Sequence, residues 1–407
     1  MRILNLKSRL VLLLIPCFAT SQIINTGELF VASNTPVSFV NAFDNKSKAV
    51  LINDGELFLY SHINNEGLIS FSSGNSKGIT RLRGVSGHQN ISGNIPIELN
   101  NVEFNNNSNG GNAATFQVSN YLSISGMADF KEGIIDDDSF GGLVIFENGS
   151  GCVNVSDKSF VNGEVMKNGN NDFTFPVGDE LKYHSVGISA LKMNTDAFSG
   201  KYSQKDAGIL YPFKNKTSNI LVVNDKEYWT VKKMGSTSDL ILTLSWDEAV
   251  TPASIIESPS EIRIVRWDSA KNSWLDEGGV VNKDDKTISS PVSVSGNVIF
   301  TTAKVKKTDS FVVYNAVSPN KDGLNDYLRI EGLDGTENEL EIYDNRGIKV
   351  FRTREYGSNE NVFNGFANVQ NVFLKNERLP DGTYFYILSV TKDNFTTKQV
   401  GYLYLSQ

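Results

Sequence analysis

One phrase recurs in the first third of the chain: Asn25-Thr26-Gly27-Glu28-Leu29-Phe30 returns as Asn53-Asp54-Gly55-Glu56-Leu57-Phe58, and Asn65-Glu66-Gly67-Leu68-Ile69 echoes it. Each copy begins with Asn and Gly, residue types that accept the backbone geometry of tight corners. A short apolar run follows each corner, and such runs can stack on one another. The imperfect repetition predicts the coils of a β-solenoid over residues 22–191.

A later stretch fits one rung of such a solenoid: Leu99-Asn100-Asn101-Val102-Glu103-Phe104-Asn105-Asn106. Its apolar residues would face inward, while the Asn side chains would bond between coils at the corners. Because the repeats are not strictly periodic, an ordinary antiparallel sandwich is the alternative for this segment. The segment closes with Phe173-Thr174-Phe175-Pro176-Val177-Gly178-Asp179 and Tyr183, where Pro176 and Gly178 predict a strand end and a turn.

The middle of the chain, residues 192–308, alternates as strands do, most clearly in Leu240-Ile241-Leu242-Thr243-Leu244-Ser245-Trp246 and Ile262-Arg263-Ile264-Val265-Arg266-Trp267. This pattern predicts a second unit, a β-sandwich. Its tryptophans could stack on sugar rings, but each lies in or beside a strand, where a large ring fills a core. We therefore expect structural roles for Trp229, Trp246, Trp267 and Trp274.

The chain begins like a secretory signal peptide, predicted over residues 1–21. Arg2, Lys7 and Arg9 precede an apolar run at 10–18 that is far shorter than the roughly 20 residues of a membrane span. We expect cleavage after Ser21 and no transmembrane segment. Cys17 follows Pro16 where a lipid-attachment pattern wants a small residue, so a lipid anchor is disfavoured.

Charge and cysteine content narrow the function classes. The formal net charge of the 407 residues is -8, and removing the cations of the signal makes the chain more acidic still. An acidic chain disfavours nucleic acid and anionic lipid as partners and favours a protein that faces solvent. Cys152 alone remains after signal removal, so we expect no intrachain disulfide and a structural role for Cys152.

The last segment, residues 309–407, contains ordered turn and strand motifs. They are Asn315-Ala316-Val317-Ser318-Pro319-Asn320-Lys321-Asp322-Gly323-Leu324-Asn325-Asp326-Tyr327, Leu340-Glu341-Ile342-Tyr343-Asp344-Asn345-Arg346-Gly347-Ile348-Lys349-Val350-Phe351, Leu379-Pro380-Asp381-Gly382-Thr383-Tyr384-Phe385-Tyr386-Ile387, and Gly401-Tyr402-Leu403-Tyr404-Leu405. Gly, Pro, Asn and Asp supply the turns, and alternating aromatic and aliphatic residues supply the strands. The segment is predicted to be a small Ig-like β-sandwich.

In these motifs and their order, the segment resembles the gliding motility-associated C-terminal domain, the type B sorting domain of the Bacteroidetes type 9 secretion system. Phe363-Asn364-Gly365 stands where that family usually has Trp-Asp-Gly, which weakens this one match. The resemblance implies recognition by the type 9 secretion translocon, with a PorP/SprF-type outer-membrane protein as partner. The residues it implies for sorting or recognition are Ser318, Pro319, Asn320, Asp322, Gly323, Asn325, Asp326, Arg346, Gly347, Pro380, Asp381, Gly382 and Tyr384.

An oxygen-rich loop in this segment raises a calcium hypothesis, although no motif requires a cofactor. An EF-hand is excluded, because Ser318 and Arg329 take the first and twelfth ligand positions. A looser calcium site remains an alternative to a turn in which these side chains cap backbone amides. Its candidate ligands are Asn320, Asp322, Asn325 and Asp326.

Enzymatic signals are weak, and we expect no catalytic residues. His62, His88 and His184 lack metal-ligand spacing, and no nucleophile elbow or phosphate-binding loop is present in the sequence. The acidic runs 136–138 and 284–285 could imitate paired carboxylates, but their polar turn contexts predict solvated charges.

Two function classes follow. We favour an exported cell-surface or secreted non-catalytic protein, such as an adhesin, stalk or matrix module, that reaches the outside after passing through the periplasm. The alternative is a carbohydrate-binding or carbohydrate-active β-solenoid, which would need a carboxylate cluster or an aromatic row on one coil face. A variant of the first class is an accessory subunit that stays bound to its outer-membrane partner.

Overall fold

The computed structural model describes residues 21–85, 87–106, 108, 116–236, 238–295, 298–306, 311–333, 336–358, 361–369, 378–392 and 395–406. Within them the protein is nearly all β, as the sequence predicts, with a solenoid of about six turns followed by sheets that form β-sandwiches. Residues 1–20 lie outside this description, so the signal peptide and the absence of a lipid anchor at Cys17 stay predictions.

The N-terminal strands form coils of three strands each. In chain order the coils comprise β1 (Ile23–Asn25), β2 (Glu28–Val31), β3 (Pro36–Phe39), β4 (Phe43–Asn45), β5 (Val50–Asn53), β6 (Glu56–Leu59), β7 (Ile63–Asn65), β8 (Leu68–Ser70), β9 (Ile79–Leu82), β10 (Gln89–Ser92), β11 (Ile97–Leu99), β12 (Asn101–Asn105), β13 (Phe116–Val118), β14 (Tyr121–Ile124), β15 (Met127–Glu132), β16 (Ile135–Asp136), β17 (Leu143–Phe146), β18 (Gly151–Val153), β19 (Val161–Asn162) and β20 (Glu164–Asn168).

Equivalent strands of successive coils pair in parallel and make three faces. The first face is β1-β4-β7-β10-β13-β16-β19, the second begins β2-β5-β8-β11-β14-β17-β20, and the third is β3-β6-β9-β12-β15-β18. Alternation within each short strand sends one set of side chains into a shared core. Aromatic rings stack there from coil to coil, with Phe104 5.5 Å from Phe116 and 5.3 Å from Phe130 between ring centroids.

Cys152 is half-buried and packs against this core. Burial raises the pKa of its thiol to about 12. A thiol this far from ionisation is a poor nucleophile, as expected for a structural cysteine.

Asparagine side chains join the corners of the first three coils. The Asn25 amide donates to Asn45 Oδ1 at 2.9 Å, and the Asn45 amide donates to Asn65 Oδ1 at 2.8 Å. Further along, Asn100 and Asn101 reach backbone carbonyls of the preceding coil at Asn75 and Gly78. Buried amides paired in this way satisfy polar groups that would otherwise destabilise the stack.

The recurring phrase does not mark a single corner. Asn25 and Asn65 lie between the first and second faces, whereas Asn53 lies between the second and third. The glycines are explained by close approach: a Cβ on Gly55 would lie 2.3 Å from the Ala32 carbonyl oxygen, and one on Gly67 2.4 Å from that of Ala49. Stacked corners leave no room for a side chain, so both types of corner select the same residues.

The sandwich contains β21 (Phe173–Phe175), β22 (Gly178–Asp179), β23 (Lys182–Tyr183), β24 (Val186–Ile188), β25 (Ala197–Ser203), β26 (Ile220–Val223), β27 (Tyr228–Lys233), β28 (Leu242–Ser245), β29 (Ile262–Asp268), β30 (Ser273–Asp276), β31 (Val280–Asn282), β32 (Thr287–Ser289) and β33 (Val298–Val305), with α1 (Ala253–Ile256) and 3₁₀ turns at Ala207–Ile209 and Pro259–Glu261.

One sheet continues from the solenoid into the sandwich. The second face passes from β20 to β25 by antiparallel pairing and extends through β27, β33, β29 and β30. The opposing sheet is β21-β24-β28-β32-β31. The division predicted between residues 191 and 192 falls between β24 and β25, which both pair with sandwich strands.

The phrase at 173–179 lies at the end of the coil stack. The Val161 N–H donates to the Pro176 carbonyl at 2.7 Å, so the last strand of the first face is covered by this segment. A Cβ on Gly178 would lie 2.6 Å from the Phe160 ring, which accounts for the glycine. This placement closes the stack, as predicted from Pro176 and Gly178.

A polar network is buried in the sandwich around Glu227. One carboxylate oxygen accepts the Tyr202 hydroxyl at 2.9 Å and lies 3.0 Å from His184 Nδ1. The other accepts the Thr251 hydroxyl at 2.6 Å and the Asn224 amide at 3.1 Å. Tyr202, Asn224 and Glu227 come from strands or turns of the sheet shared with the solenoid. His184 and Thr251 come from other segments and are also buried. A carboxylate with this many partners is fixed in place.

All four tryptophans are buried, as expected for structural residues. The rings of Trp229 and Trp274 are fully enclosed, and the Trp229 indole donates to the His184 carbonyl at 3.1 Å. Their aromatic faces are used by the core and are not presented to a ligand.

The C-terminal unit comprises β34 (Val312–Val313), β35 (Ala316–Val317), β36 (Ile330–Glu331), β37 (Glu337–Tyr343), β38 (Lys349–Arg354), β39 (Gly382–Lys392) and β40 (Phe395–Leu405). One sheet has the order β35-β40-β39-β37-β38, and β34 pairs with β36. Tyr384, Leu388, Leu403 and Leu405 project from the large sheet into a core that is separate from the solenoid core. The alternation of side chains along β39 and β40 places these four residues on the same face of the sheet.

Candidate functional site

The motifs of the C-terminal unit converge at one end of its large sheet. Val317, at the end of β35, pairs with Leu405 at the end of β40, and Leu405 also pairs with Gly382 at the start of β39. Tyr343, at the end of β37, pairs with Phe385 of β39. The loop 318–327, the turn 344–348 and the turn 379–381 therefore leave the sheet at the same end. We call this end the motif end.

The loop is held by its own acidic side chains. Asp326 accepts the Lys321 N–H at 2.6 Å with one oxygen and the Gly323 N–H at 2.9 Å with the other. Asp322 accepts the Leu324 N–H at 2.8 Å. These bonds satisfy backbone groups that a tight loop cannot pair with itself.

Backbone conformation explains the remaining residue types of the loop. Lys321, Gly323 and Asn325 adopt positive φ angles of 68°, 87° and 57°. Gly and Asn take this conformation readily, whereas Lys321 adopts it at a steric cost that the hydrogen bonds donated to Asp326 offset. The Leu324 N–H and the Asn320 amide, both donating to Asp322, lower the pKa of that carboxyl.

The loop presents Leu324 at its apex. Leu324 is 71% exposed. Its backbone is nevertheless fixed, because its N–H donates to Asp322. Tyr327, the last residue of the loop, is also exposed. Sequence reasoning did not select Leu324, because it stands between the Gly and Asn that carry the turn and has no chemistry of its own. Leu324 and Tyr327 together give one hydrogen-bonded loop two large exposed side chains, which offer a contact surface for a partner.

Two neighbouring segments seat the loop. The Arg378 guanidinium donates to the Pro319 carbonyl at 2.9 Å. Gly365, with φ of 87°, lies under the proline, and a Cβ there would be 3.2 Å from Pro319 Cγ. The segment that replaces the usual Trp-Asp-Gly thus keeps its glycine where the contact with Pro319 needs it.

The turn at 344–348 is closed by Asp344. Its carboxylate accepts the Arg346 N–H at 2.9 Å and the Ile348 N–H at 2.8 Å, and the Arg346 guanidinium lies 3.2 Å from the second oxygen. Gly347 has a φ of 74°. Arg346 and Gly347 are therefore turn residues, with the arginine head exposed beside the acidic carboxylate.

Tyr384 lies close to the second and third turns. Its hydroxyl donates to the Pro380 carbonyl at 2.8 Å, and Gly382 adopts a φ of 149°. Burial raises the pKa of Tyr384, with smaller contributions from Asp344 and Asp381. Two carboxylates from different turns thus lie close enough to influence one phenol, which agrees with the convergence of the motifs.

The calcium candidates serve as hydrogen-bond acceptors. Asp322, Asp326 and Asn320 all bond to backbone N–H groups of the loop, with Asn320 Oδ1 accepting the Asp322 N–H at 3.0 Å. In the described part of the chain, no group of three or more His, Cys, Asp or Glu side chains is arranged to hold a metal ion. The geometry fits amide capping.

An aromatic row crosses the outer face of the same sheet. Tyr343, Phe385 and Tyr402 are direct cross-strand neighbours, and Tyr404 follows on β40. The Lys349 amine lies 5.4 Å from the Tyr343 ring centroid. The alternating pattern of β39 and β40 includes these aromatic residues. The pairing register adds that they are aligned across the strands and lie near the motif end.

The acidic run 136–138 is not a solvated turn, contrary to the sequence-based expectation. Asp136 and Asp137 are buried, and only Asp138 is exposed, whereas Asp284 and Asp285 are both exposed as predicted. Asp137 lies beneath the last coil, where Gly163 leaves just enough room for its carboxyl. One of its oxygens has no hydrogen-bond partner. Burial raises its pKa to about 8.

Replacing Asp137 with asparagine is expected to stabilise the protein in a pH-dependent way. Because the folded pKa of about 8 exceeds the ordinary carboxyl value of 3.8, wild-type stability is fully present below pH 4 and is lost as pH rises toward 8. The neutral Asp137→Asn side chain avoids this loss, so we expect a gain that grows with pH to several kcal/mol at pH 8 and little difference at pH 4.

Urea denaturation of both proteins at pH 4, 6 and 8 measures this gain. Asp284→Asn, at an exposed position, serves as the control and should change stability little at any pH. A difference between Asp137→Asn and wild type that does not grow with pH contradicts the buried-acid account.

These features define a class of protein: a β-solenoid and a β-sandwich that share one sheet, followed by a separate β-sandwich whose motif turns converge at one end. No helix in the described part of the chain is both long and apolar enough to span a bilayer.

Comparison with known families identifies the C-terminal unit. Residues 311–405 match the family described as the CHU_C type IX secretion signal domain. This confirms the predicted sorting domain and indicates that the protein is a type IX secretion substrate, exported to the cell surface or beyond it. No curated protein and no solved structure matches the chain.

Proposed function

We propose that the chain is a non-catalytic surface or secreted protein of a Bacteroidetes cell, whose solenoid and sandwich serve as an adhesive, stalk or matrix module. The observation that carries the proposal is the type IX secretion signal domain at residues 311–405, with its motif turns gathered at one end. The module passes through the periplasm after its signal peptide is removed, and the C-terminal domain then directs it across the outer membrane.

The use of polar residues upstream supports a structural module. The side chains of Asn25, Asn45 and Asn65 bond to one another. Glu227 accepts hydrogen bonds from three neighbouring side chains and lies 3.0 Å from a fourth, His184. Polar side chains whose hydrogen bonds are taken up by neighbouring side chains hold a fold together. The four buried tryptophans likewise do not favour the carbohydrate-binding alternative.

The motif end is the proposed recognition surface for the secretion machinery, in the type B manner with a PorP/SprF-type outer-membrane protein. Leu324 gives it an apolar contact, and the fixed turns around Asp326 and Asp344 give it a defined shape. A rigid surface binds at a smaller entropic cost than a flexible one. Asp322, Asp326 and Arg346 supply polar groups around the apex.

Leu324→Asp is expected to lower the fraction of protein outside the cell at least about tenfold, because it places a charge in an apolar contact. Folding should be unaffected, since the side chain is exposed. Export is measured in a native type IX host by protease shaving of intact cells and immunoblotting of the medium.

The matched control is Val312→Asp, which changes an exposed aliphatic residue of the same domain outside the loop. It should be exported like the wild type, and both variants should melt at the wild-type temperature. Normal export of Leu324→Asp would show that the loop apex takes no part in recognition.

A further inference from the structure

A loop of the sandwich, residues 205–216, holds two neighbouring aliphatic side chains in solvent. Ile209 is 81% exposed and Leu210 is 72% exposed. Single exposed aliphatic residues are ordinary, but two adjacent ones at a loop tip form an apolar projection. We call it the apolar tip.

The backbone of the apolar tip is fixed. Asp206 Oδ1 accepts the Gly208 N–H at 2.7 Å and caps the 3₁₀ turn at its start. The Leu210 and Tyr211 N–H groups both donate to the Ala207 carbonyl, at 3.1 and 2.9 Å. The exposure of Ile209 and Leu210 therefore belongs to a folded turn.

Aromatic residues anchor the loop to the sandwich. The ring centroids of Tyr211 and Trp267 are 5.4 Å apart, and those of Phe213 and Trp274 are 6.2 Å apart. The Trp274 indole donates to the Tyr211 carbonyl at 3.1 Å. The loop thus turns its aromatic side chains toward the core and its aliphatic ones outward. This is the reverse of what burial within the chain alone would favour for Ile and Leu.

Basic and apolar residues surround the tip. Lys205 and Lys214 are exposed, and within the described chain neither has a carboxylate at ion-pair distance. The amine of Lys216 donates to the Leu221 carbonyl at 2.5 Å. Leu221 and its neighbour on β26 are exposed as well, and the flanking residues of that strand pack in the same aromatic cluster.

We propose that the apolar tip docks on an anionic lipid surface. Ile209 and Leu210 would enter the boundary between headgroups and acyl chains, while Lys205 and Lys214 contact lipid phosphates. An exposed aliphatic pair with lysines in the same loop suits a lipid layer, which binds apolar side chains and cations together. Tyr211, half-buried behind the tip, lies where interfacial aromatic residues are common.

The acidic net charge of the chain does not oppose this docking. At physiological ionic strength, charges farther apart than about 8 Å are largely screened, so the charges of the loop itself determine the local attraction. Lys205, Lys214 and Lys216 outnumber the single carboxylate of that loop, Asp206. The net charge of -8 disfavours anionic lipid only for a protein whose charges are evenly spread.

Vesicle flotation of the full-length protein tests the proposal. The probes are phosphatidylcholine vesicles with and without about one-third phosphatidylglycerol, a lipid that supplies the negative surface potential. The wild type should float with the anionic vesicles, and the double variant Ile209→Asp/Leu210→Asp should bind them at least about tenfold more weakly.

The control is Val40→Asp/Val85→Asp, which changes two exposed valines of the solenoid and adds the same charge. It should float like the wild type, and all three proteins should show equal melting temperatures. Raising the salt to about 0.5 M should weaken wild-type binding, because the screening length shortens.

Equal flotation of the Ile209→Asp/Leu210→Asp variant and the wild type would overturn the proposal. So would an absence of wild-type flotation with both kinds of vesicle. If the wild type did not float, and the double variant but not the control were lost from the surface of intact cells, the tip would be assigned to a protein partner instead.

Discussion

Glu227→Leu is expected to lower the free energy of unfolding by about 4 kcal/mol, the range measured when one partner of a buried polar or ionic pair is removed. The substitution leaves the hydroxyls of Tyr202 and Thr251 without their acceptor in a closed interior. It also removes one of the two acceptors of the Asn224 amide, which keeps only the Thr302 hydroxyl. Each unsatisfied group costs about 1–3 kcal/mol, partly recovered as neighbours rearrange.

Glu227→Gln separates the hydrogen bonds from the charge. Its amide keeps one acceptor oxygen, and hydroxyl groups can rotate to accept as well as donate, so we expect about half the loss of the leucine variant. Glu248→Gln is the control, since Glu248 makes only an exposed pair with Lys286, and exposed pairs contribute little to stability.

Thermal and urea unfolding of the purified variants measure these losses. Because the network lies in the sheet shared by solenoid and sandwich, we expect the coils and the sandwich to lose stability together. A Glu227→Leu protein as stable as Glu248→Gln would mean that the buried network contributes nothing to the fold.

The fold class could be predicted because corners and strands leave local signals. Asn and Gly at 25–27 and 65–67 indicate a tight corner, and steric contact with the preceding coil explains why Gly67 has no alternative. The number of residues in each coil could not be predicted from the repeated phrase. The ladder that links Asn25, Asn45 and Asn65 is side-chain pairing across coils, and the residues around Asn45 do not repeat the phrase.

Burial of charge was the main failure of sequence reasoning. Asp137 is predicted from the sequence to lie in a polar turn, yet it is buried beneath the last coil at Gly163. Glu227 and His184 are far apart in sequence and meet only after the sheets have formed. Sequence patterns report local geometry, whereas such contacts depend on tertiary packing.

The candidate site shows the same division. Gly, Asn and Asp at 320–326 predict a turn, and the structure places them in one. The exposure of Leu324, the aromatic row ending at Tyr402 and the anchoring of Pro319 by Arg378 depend on the register of the sheet and on a return of the chain. A sequence motif therefore identifies the domain more readily than the contact surface that the motif supports.

Removal of the C-terminal domain is expected to abolish delivery to the outside. A chain truncated after Lys307 keeps the solenoid and the sandwich, whose core is separate from that of the C-terminal domain. The remaining module should therefore fold and collect in the periplasm, because it lacks the type IX secretion signal domain at residues 311–405.

Export of the full and truncated chains from a native type IX host is the most direct measurement. Protease shaving of intact cells, assay of the medium and fractionation of the periplasm locate each protein, and a melting curve of the truncated chain confirms its folding. The account predicts the full chain outside and the folded truncated chain inside. Equal amounts of both outside the cell would contradict the assignment of the C-terminal domain as the export signal.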